Sequence, residues 1–184
     1  PGLGPFVGSD IAAGALAAGL LESQGGPALL MDFGTNGELL LKTSAGYLAS
    51  AAAAGPAFEG GRLRHGATAP EGATSSLRLK GGRWETVVIG GGSDVHGISG
   101  AAYVDFVAEA RHAGLLNRCG RFDREHPLVA APPAGDSSGY LVSLRNHLDV
   151  SESDVAELLQ AKAAIAGGVA TLLELSQLRT EDLQ

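Results

Sequence analysis

Asp32-Phe33-Gly34-Thr35-Asn36-Gly37-Glu38 carries the residue types in this chain best suited to chemistry. A carboxylate comes first, followed by glycine, a hydroxyl, an amide and a second glycine. Glycine lets backbone N–H groups approach an anion closely, and concave turns built this way bind phosphate. An aspartate beside such a turn can hold Mg²⁺ directly or through water. Together these groups suit the phosphate tail of a nucleotide. The same residues also spell a hairpin, because Asn-Gly between two apolar runs is a strong turn signal with no function attached. On local pattern alone the two readings stand level.

The elements that must position this segment can be read on either side of it. Ala28-Leu29-Leu30-Met31 is a short apolar run expected to form a buried strand, and Leu39 to Thr43 is expected to form a second. Upstream, Ser9 is placed to cap an Ala-rich helix over Asp10 to Glu22, which Gly25-Gly26-Pro27 ends. Downstream, Tyr47 to Ala54 is small and apolar and leads into Gly55-Pro56-Ala57-Phe58-Glu59-Gly60-Gly61, too rich in glycine for a helix interior.

Further along, Leu77 to Lys80 and Arg83 to Ile89 flank Gly81-Gly82, the pattern of a two-residue hairpin. Gly90 to Asp94 is a loop. Ala101 to Ala113 is expected to be a helix with Tyr103, Phe106, Val107 and Ala110 on one face, stopped by Gly114. After a Pro/Gly/Ser loop over Ala131 to Ser138, Tyr140 to Leu144 suits a strand. Ser151-Glu152-Ser153-Asp154 has the form of a capping box, with aspartate in place of glutamate. The longest helix follows, with Val155, Leu158, Leu159, Ile165, Val169, Leu172 and Leu173 at helical spacing. Gly167-Gly168 in its middle predicts close packing against a neighbouring backbone. Strands, helices and hairpins mix, so the class is α/β or α+β, and no linker divides the 184 residues.

Composition sets limits on function. The chain is 45% hydrophobic and 18% charged, with a net charge of −7, so it is a poor match for nucleic acid or an anionic membrane. Its one cysteine, Cys119, can neither form an internal disulfide nor hold zinc or an iron–sulfur cluster alone. A reducing, cytoplasmic compartment fits. No apolar run of membrane-spanning length and no signal-peptide layout is read. The first residue is Pro1, so a processed chain or a fragment is expected.

Other motifs are set aside. Gly135-Asp136-Ser137-Ser138-Gly139 fits a hydrolase nucleophile formula, but a Pro-rich loop precedes it and a strand follows, so a surface turn is expected. Gly2-Leu3-Gly4 has no preceding strand and fails as a dinucleotide fingerprint. His65, His96, His112, His126 and His147 are read as surface or loop residues. Glu109 with Arg111, and Glu152 with Asp154 and Glu157, are read as solvated helix faces, and Arg62 and Arg64 as surface cations.

Several segments together resemble one family, the C-terminal ATPase region of the reductive activators of corrinoid proteins. The matching pieces are Phe6-Val7-Gly8-Ser9-Asp10, Asp32 to Glu38, Ala51-Ala52-Ala53-Ala54-Gly55-Pro56-Ala57-Phe58-Glu59-Gly60, Gly97-Ile98-Ser99-Gly100 with Asp105, and Gln160-Ala161-Lys162-Ala163-Ala164-Ile165. Their order matches too. The Asp-Phe-Gly-Thr-Asn-Gly-Glu and Gly-Pro-Ala-Phe-Glu-Gly blocks are the specific ones. Ser99 stands where the family pattern has cysteine.

The resemblance implies an α/β fold: an RNase H-like lobe of the actin/Hsp70/sugar-kinase (ASKHA) nucleotide-binding type, here a single lobe of a larger ATPase domain. It implies ATP and Mg²⁺ as cofactors, with a 2Fe–2S iron–sulfur cluster in an N-terminal region outside this chain. Asp32 would be the catalytic residue and position Mg²⁺ or a water, while Gly34, Thr35, Asn36 and Gly37 would bind phosphate. The expected activity is ATP-dependent transfer of an electron from the cluster to a Co(II) corrinoid, the isolated chain being close to inactive. The expected partner is a corrinoid protein, faced by the loop from Ser50 to Gly55, and a homodimer is a further expectation. The alternatives are a small-molecule kinase lobe of the same fold and a non-enzymatic docking or dimerisation module.

Overall fold

The computed structural model describes residues 7–145 and 147–183. The readings made on Gly2-Leu3-Gly4, Phe6 and Asn146 lie outside the described residues. The chain forms two compact units: Pro1–Gly55 with Ala161–Gln184, and Pro56–Gln160. The second is therefore inserted in the sequence of the first.

In the first unit β1 (Ala28–Phe33), β2 (Asn36–Thr43) and β3 (Gly46–Ala53) form an antiparallel sheet in the order β1-β2-β3. Leu30 pairs with Leu40, and Leu39 with Ser50. Gly37 to Leu41 are all buried, as expected of a strand covered on both faces. On one face α1 (Ser9–Ala17) supplies Ile11 and Ala15, which cluster with Val7, Leu20 and Leu40. On the other, the part of α3 (Glu152–Ser176) from Ala161 onward brings Gly168 over Leu39, where a Cβ would lie 2.7 Å from the Leu39 Cδ1. The close packing at Gly168 is against the Leu39 side chain and not, as expected, a neighbouring backbone, while Gly167 faces open space.

Three local expectations change here. Ser9 is the first residue of α1 and not its cap; Gly8 takes the cap position with no side-chain bond. The helix stops well before Glu22, because Gly19 adopts φ +67° and a Schellman closure forms: Gly19 N–H donates to Leu16 O at 3.0 Å and Leu20 N–H to Ala15 O at 2.9 Å. The Ala-rich segment after Tyr47 is a strand, made so by its pairing with β2 in spite of alanine's weak strand preference.

The second unit holds a sheet in the order β4 (Gly66–Ala67), β7 (Gly97–Ser99), β5 (Ala73–Lys80), β6 (Arg83–Val88), with β4, β7 and β5 parallel and β5–β6 the expected Gly81-Gly82 hairpin. Helix α2 (Gly100–His112) packs on β5 and buries Tyr103, Phe106 and Ala110 as expected. The Ser99 Oγ caps it, accepting the Ala102 N–H at 3.2 Å. Gly100 meets the block before it: a Cβ there would sit 1.7 Å from the Phe58 carbonyl oxygen, so only glycine fits. A second, small sheet has the order β10 (Asp149–Ser151), β9 (Leu141–Ser143), β8 (Val129–Ala130).

The capping box at the start of α3 forms as expected. Ser151 Oγ accepts the Asp154 N–H at 3.1 Å, and Asp154 Oδ2 accepts the Ser151 N–H at 2.8 Å. Of the carboxylates read as solvated faces, Glu109, Glu152 and Asp154 are in fact structural. Glu152 and Asp154 are buried, Glu152 Oε1 accepting the Phe122 N–H at 3.1 Å and Asp154 Oδ1 the Arg64 N–H at 2.7 Å. Glu109 Oε2 accepts the Leu79 N–H at 3.1 Å, and Asp105 Oδ2 the Leu77 N–H at 3.1 Å and the Ser76 hydroxyl at 2.6 Å. Buried backbone donors need partners, and these side chains supply them.

Arg64 is likewise engaged: its guanidinium pairs with Asp136 and with Asp149 at 3.0 Å. His65 is half-buried with its Nε2 sealed from solvent, and its backbone N–H donates to the Tyr103 hydroxyl at 3.2 Å. Helix α3 has the length and hydropathy to cross a membrane, by composition alone, which corrects the expectation that no apolar run approaches that length. Its Val155, Leu158, Ile165, Leu172 and Leu173 are buried within the protein.

Candidate functional site

Asp32 and Glu38 stand directly opposite each other in the β1–β2 register. Side chains paired in this way leave the sheet on one face. It is the α1 face, since Leu30 and Leu40 share its parity. Asp10, in the first turn of α1, comes to the same place. One oxygen from each of Asp10, Asp32 and Glu38 lies within 4.8 Å of the other two. Asp10 and Asp32 are open to solvent.

Glu38 differs from them, being only 8% exposed. Its Oε1 accepts the Gly8 N–H at 2.9 Å, whereas its buried Oε2 has no hydrogen-bond partner. Gly8 leaves the space for this arrangement. A Cβ there would lie 2.4 Å from Asp10 Oδ1 and 3.5 Å from Glu38 Oε1.

The turn between the strands does not fall on Asn-Gly, as the sequence signal implied, but just before it. Gly34 and Thr35 make it, and Asn36 and Gly37 already belong to β2. Phe33 pairs with Gly37. A Cβ on Gly37 would lie 2.6 Å from Ile165 Cγ1, so packing under α3 demands this glycine. The Thr35 carbonyl accepts the Gly55 N–H at 2.9 Å. Gly55, read as partner-facing, is thereby joined to the turn.

Ser50, the other residue read as partner-facing, is not in a loop. It belongs to β3 opposite Leu39, because the sheet extends through Ala53 before the chain turns. Asp10 and Glu38 are the site residues that sequence reading missed. Glu38 had a signal in its spacing, three residues after Thr35 as Asp32 is three before it. Asp10 lay in a segment that matches the family, Phe6 to Asp10, but nothing in the local sequence tied it to Asp32, since α1 must fold back on the sheet to deliver it.

The site is thus an all-carboxylate group, two of its members open to solvent, beside the turn at one end of a three-stranded antiparallel meander. Residues 26–184 match the family described as the C-terminal domain of RACo, the ASKHA domain, and the chain belongs to that family.

The relatives agree with that assignment. The chain is 28% identical, over an alignment of 205 residues, to the Co(II) methylated amine-specific corrinoid protein reductase of Methanosarcina barkeri, covering 98% of this chain and 35% of that protein. It is 29% identical over 197 residues to the corrinoid activation enzyme RamQ of Eubacterium limosum, covering all of this chain (100%) and 32% of that one. The solved structure of a reductive activator for corrinoid, iron–sulfur protein superposes with a TM-score of 0.86 at 31% identity, covering 100% of this chain and 30% of that chain. The chain thus spans about a third of the length of these relatives.

Proposed function

We propose that this chain is the nucleotide-handling part of an ATP-dependent reductive activator, which returns a Co(II) corrinoid on a partner protein to its active, reduced state. The pairing of Asp32 with Glu38 beside the Gly34–Thr35 turn carries the reading, within a domain of the ASKHA family. The β1-β2-β3 meander with helices on both faces supports an RNase H-like lobe.

Asp32 holds the Mg²⁺ of Mg-ATP, and the donor set fits that ion: all oxygen, partly open to water, with no nitrogen or sulfur ligand in the group. Mg²⁺ supplies charge neutralisation at the phosphates. The Gly34–Thr35 turn, with Asn36 and Gly37 at the start of β2, receives the phosphate oxygens, and Gly55 holds the turn in place through Thr35. Catalysis in such a site is positioning and electrostatics.

The residues present do not fit the iron–sulfur cluster. Cys119 is a single exposed thiol, and a two-iron cluster takes four ligands. The cluster belongs to another part of the full-length protein. The partner is a corrinoid protein, the compartment the cytoplasm, and the Ser50 to Gly55 edge is the surface assigned to docking or to a second copy.

Calorimetry of Mg-ATP on the full-length parent tests the reading. Binding that Asp32→Ala abolishes supports it. No binding in the intact parent reduces the segment to a hairpin.

A further inference from the structure

Gly37 stands inside a strand, where glycine weakens pairing and leaves a side-chain position empty. Its φ lies outside the left-handed region, so backbone conformation does not require glycine there. Space does. A Cβ on Gly37 would lie 2.6 Å from Ile165 Cγ1 and 2.9 Å from Ile165 Cδ1. One turn along α3 the relation is inverted. There Gly168 leaves the room and Leu39 of β2 fills it, its Cδ1 2.7 Å from where a Gly168 Cβ would be. Each element offers a glycine to a side chain of the other, and Ile165 and Leu39 are both buried. The two contacts interlock and fix where α3 sits along β2.

This lock lies beside the phosphate turn. Phe33 and Gly37 are the last pair of the β1–β2 ladder, and only Gly34, Thr35 and Asn36 lie between them. Gly37 therefore cannot move without moving the turn. On its other side Gly37 pairs with Ala52, three residues before Gly55, whose N–H holds the Thr35 carbonyl. Closely packed side chains transmit a displacement and do not absorb it. Sites that work by positioning are sensitive on this scale, since a misplacement of about 1 Å can cost about a hundredfold. The Cβ position of Gly37 points to the α3 face, opposite the face that carries Asp32 and Glu38. Ile165 thus acts on the turn from behind.

We propose that Ile165 is a positioning residue for the phosphate turn. Seated on Gly37, it sets the place of Gly34 and Thr35, while the Leu39–Gly168 contact holds α3 in register for it. The inference rests on the turn being the nucleotide site of the proposed function. It adds that nucleotide affinity depends on a helix side chain on the far side of the sheet.

The test compares Ile165→Ala with Leu172→Ala in the full-length parent. Leu172 is buried on the same helix about two turns further on, so both variants lose a buried aliphatic side chain. Mg-ATP affinity, taken by calorimetry below both thermal midpoints, should fall at least fivefold in Ile165→Ala and less than twofold in Leu172→Ala. Without nucleotide, the Gly55 amide should exchange with solvent deuterium at least fivefold faster in Ile165→Ala than in Leu172→Ala, because the carbonyl that holds it shifts. Gly37→Ala should weaken binding through its clash, and adding Ile165→Ala should restore part of that loss. Where Ile165→Ala fails to fold, Ile165→Val, which removes only Cδ1, should show a smaller change in the same direction. Matching affinity and matching exchange in the two helix variants would overturn the proposal, as would a Gly37→Ala defect that Ile165→Ala does not relieve. Binding abolished by Asp32→Ala with the helix variants alike would sink this inference and leave the nucleotide reading standing. A parent that binds no Mg-ATP would sink the nucleotide reading, and Gly55 exchange would then still decide whether Ile165 places the turn.

Discussion

The Gly55 amide donates to the Thr35 carbonyl at 2.9 Å and so closes the Gly34–Thr35 turn against the end of β3. Gly55 sits at φ +77° with open space around it. A side chain there meets no neighbour but is strained by the left-handed backbone, at about 1 kcal/mol. Gly55→Ala should therefore lower the thermal midpoint by about 2–4 °C. It should also weaken Mg-ATP binding to the full-length parent severalfold, because the turn shifts. A midpoint drop with unchanged nucleotide affinity would separate Gly55 from the site.

Gly37 and Ile165 make a steric pair. The Cβ of Gly37→Ala would fall 2.6 Å from Ile165 Cγ1, which should cost about 1–3 kcal/mol through overpacking. Ile165→Ala leaves a cavity and destabilises by itself. Combined, the two should be less destabilising than the sum of their separate effects, by at least 1 kcal/mol in a double-mutant cycle of denaturant unfolding. Strict additivity would mean that the sheet yields elsewhere.

Asp136 gives the second unit an acid-sensitive anchor. The Arg64 guanidinium, with help from the Ser138 hydroxyl and amide, holds the Asp136 carboxyl down at about 2, below its ordinary 3.8. A carboxyl depressed in the folded state stabilises above its unfolded value and loses that contribution as pH falls through the folded one. Stability should thus decline between about pH 4 and pH 2. In Asp136→Asn that part of the pH dependence should be missing. Denaturant midpoints taken across the window provide the measurement, and equal slopes in the two proteins would contradict the anchor.

Glu152 and Glu157 lie on one helix and should behave differently. Glu152 is 7% exposed and takes the Phe122 N–H, and at 3.4 Å the Tyr140 N–H. Glu152→Ala strands those donors and should cost about 2–3 kcal/mol. Glu157→Ala should stay within about 0.5 kcal/mol, as surface changes do. Thermal unfolding of the two side by side decides it.

The elements that were legible in sequence are those whose signals are local. The Gly81-Gly82 hairpin, the Ser151–Asp154 cap, the apolar face of α2 and the β1–β2 pair all rest on neighbours a few residues away. The Asp32 segment was legible through its residue types and through family resemblance. What escaped depended on distant partners. Glu152, Asp154 and Glu109 look like surface charges until the backbone amides they satisfy are brought to them from elsewhere in the chain. Strand β3 was hidden by its alanines and revealed only by pairing with β2. Asp10 reaches the site by the packing of α1 on the sheet, which its own sequence does not announce.

The two faces of β2 are closed by contacts of very different sequence range. Leu40 is covered by residues from α1, close by in the chain. Leu39 and Gly37 wait for Gly168 and Ile165, which are synthesised only after the whole inserted unit. During translation the α1 side of the sheet can therefore assemble early, while the opposite side stays greasy and bare until the end of α3 emerges. A chain cut short after the inserted unit would keep that surface uncovered, which makes premature termination a route to aggregation and the last part of α3 the step that renders the sheet safe.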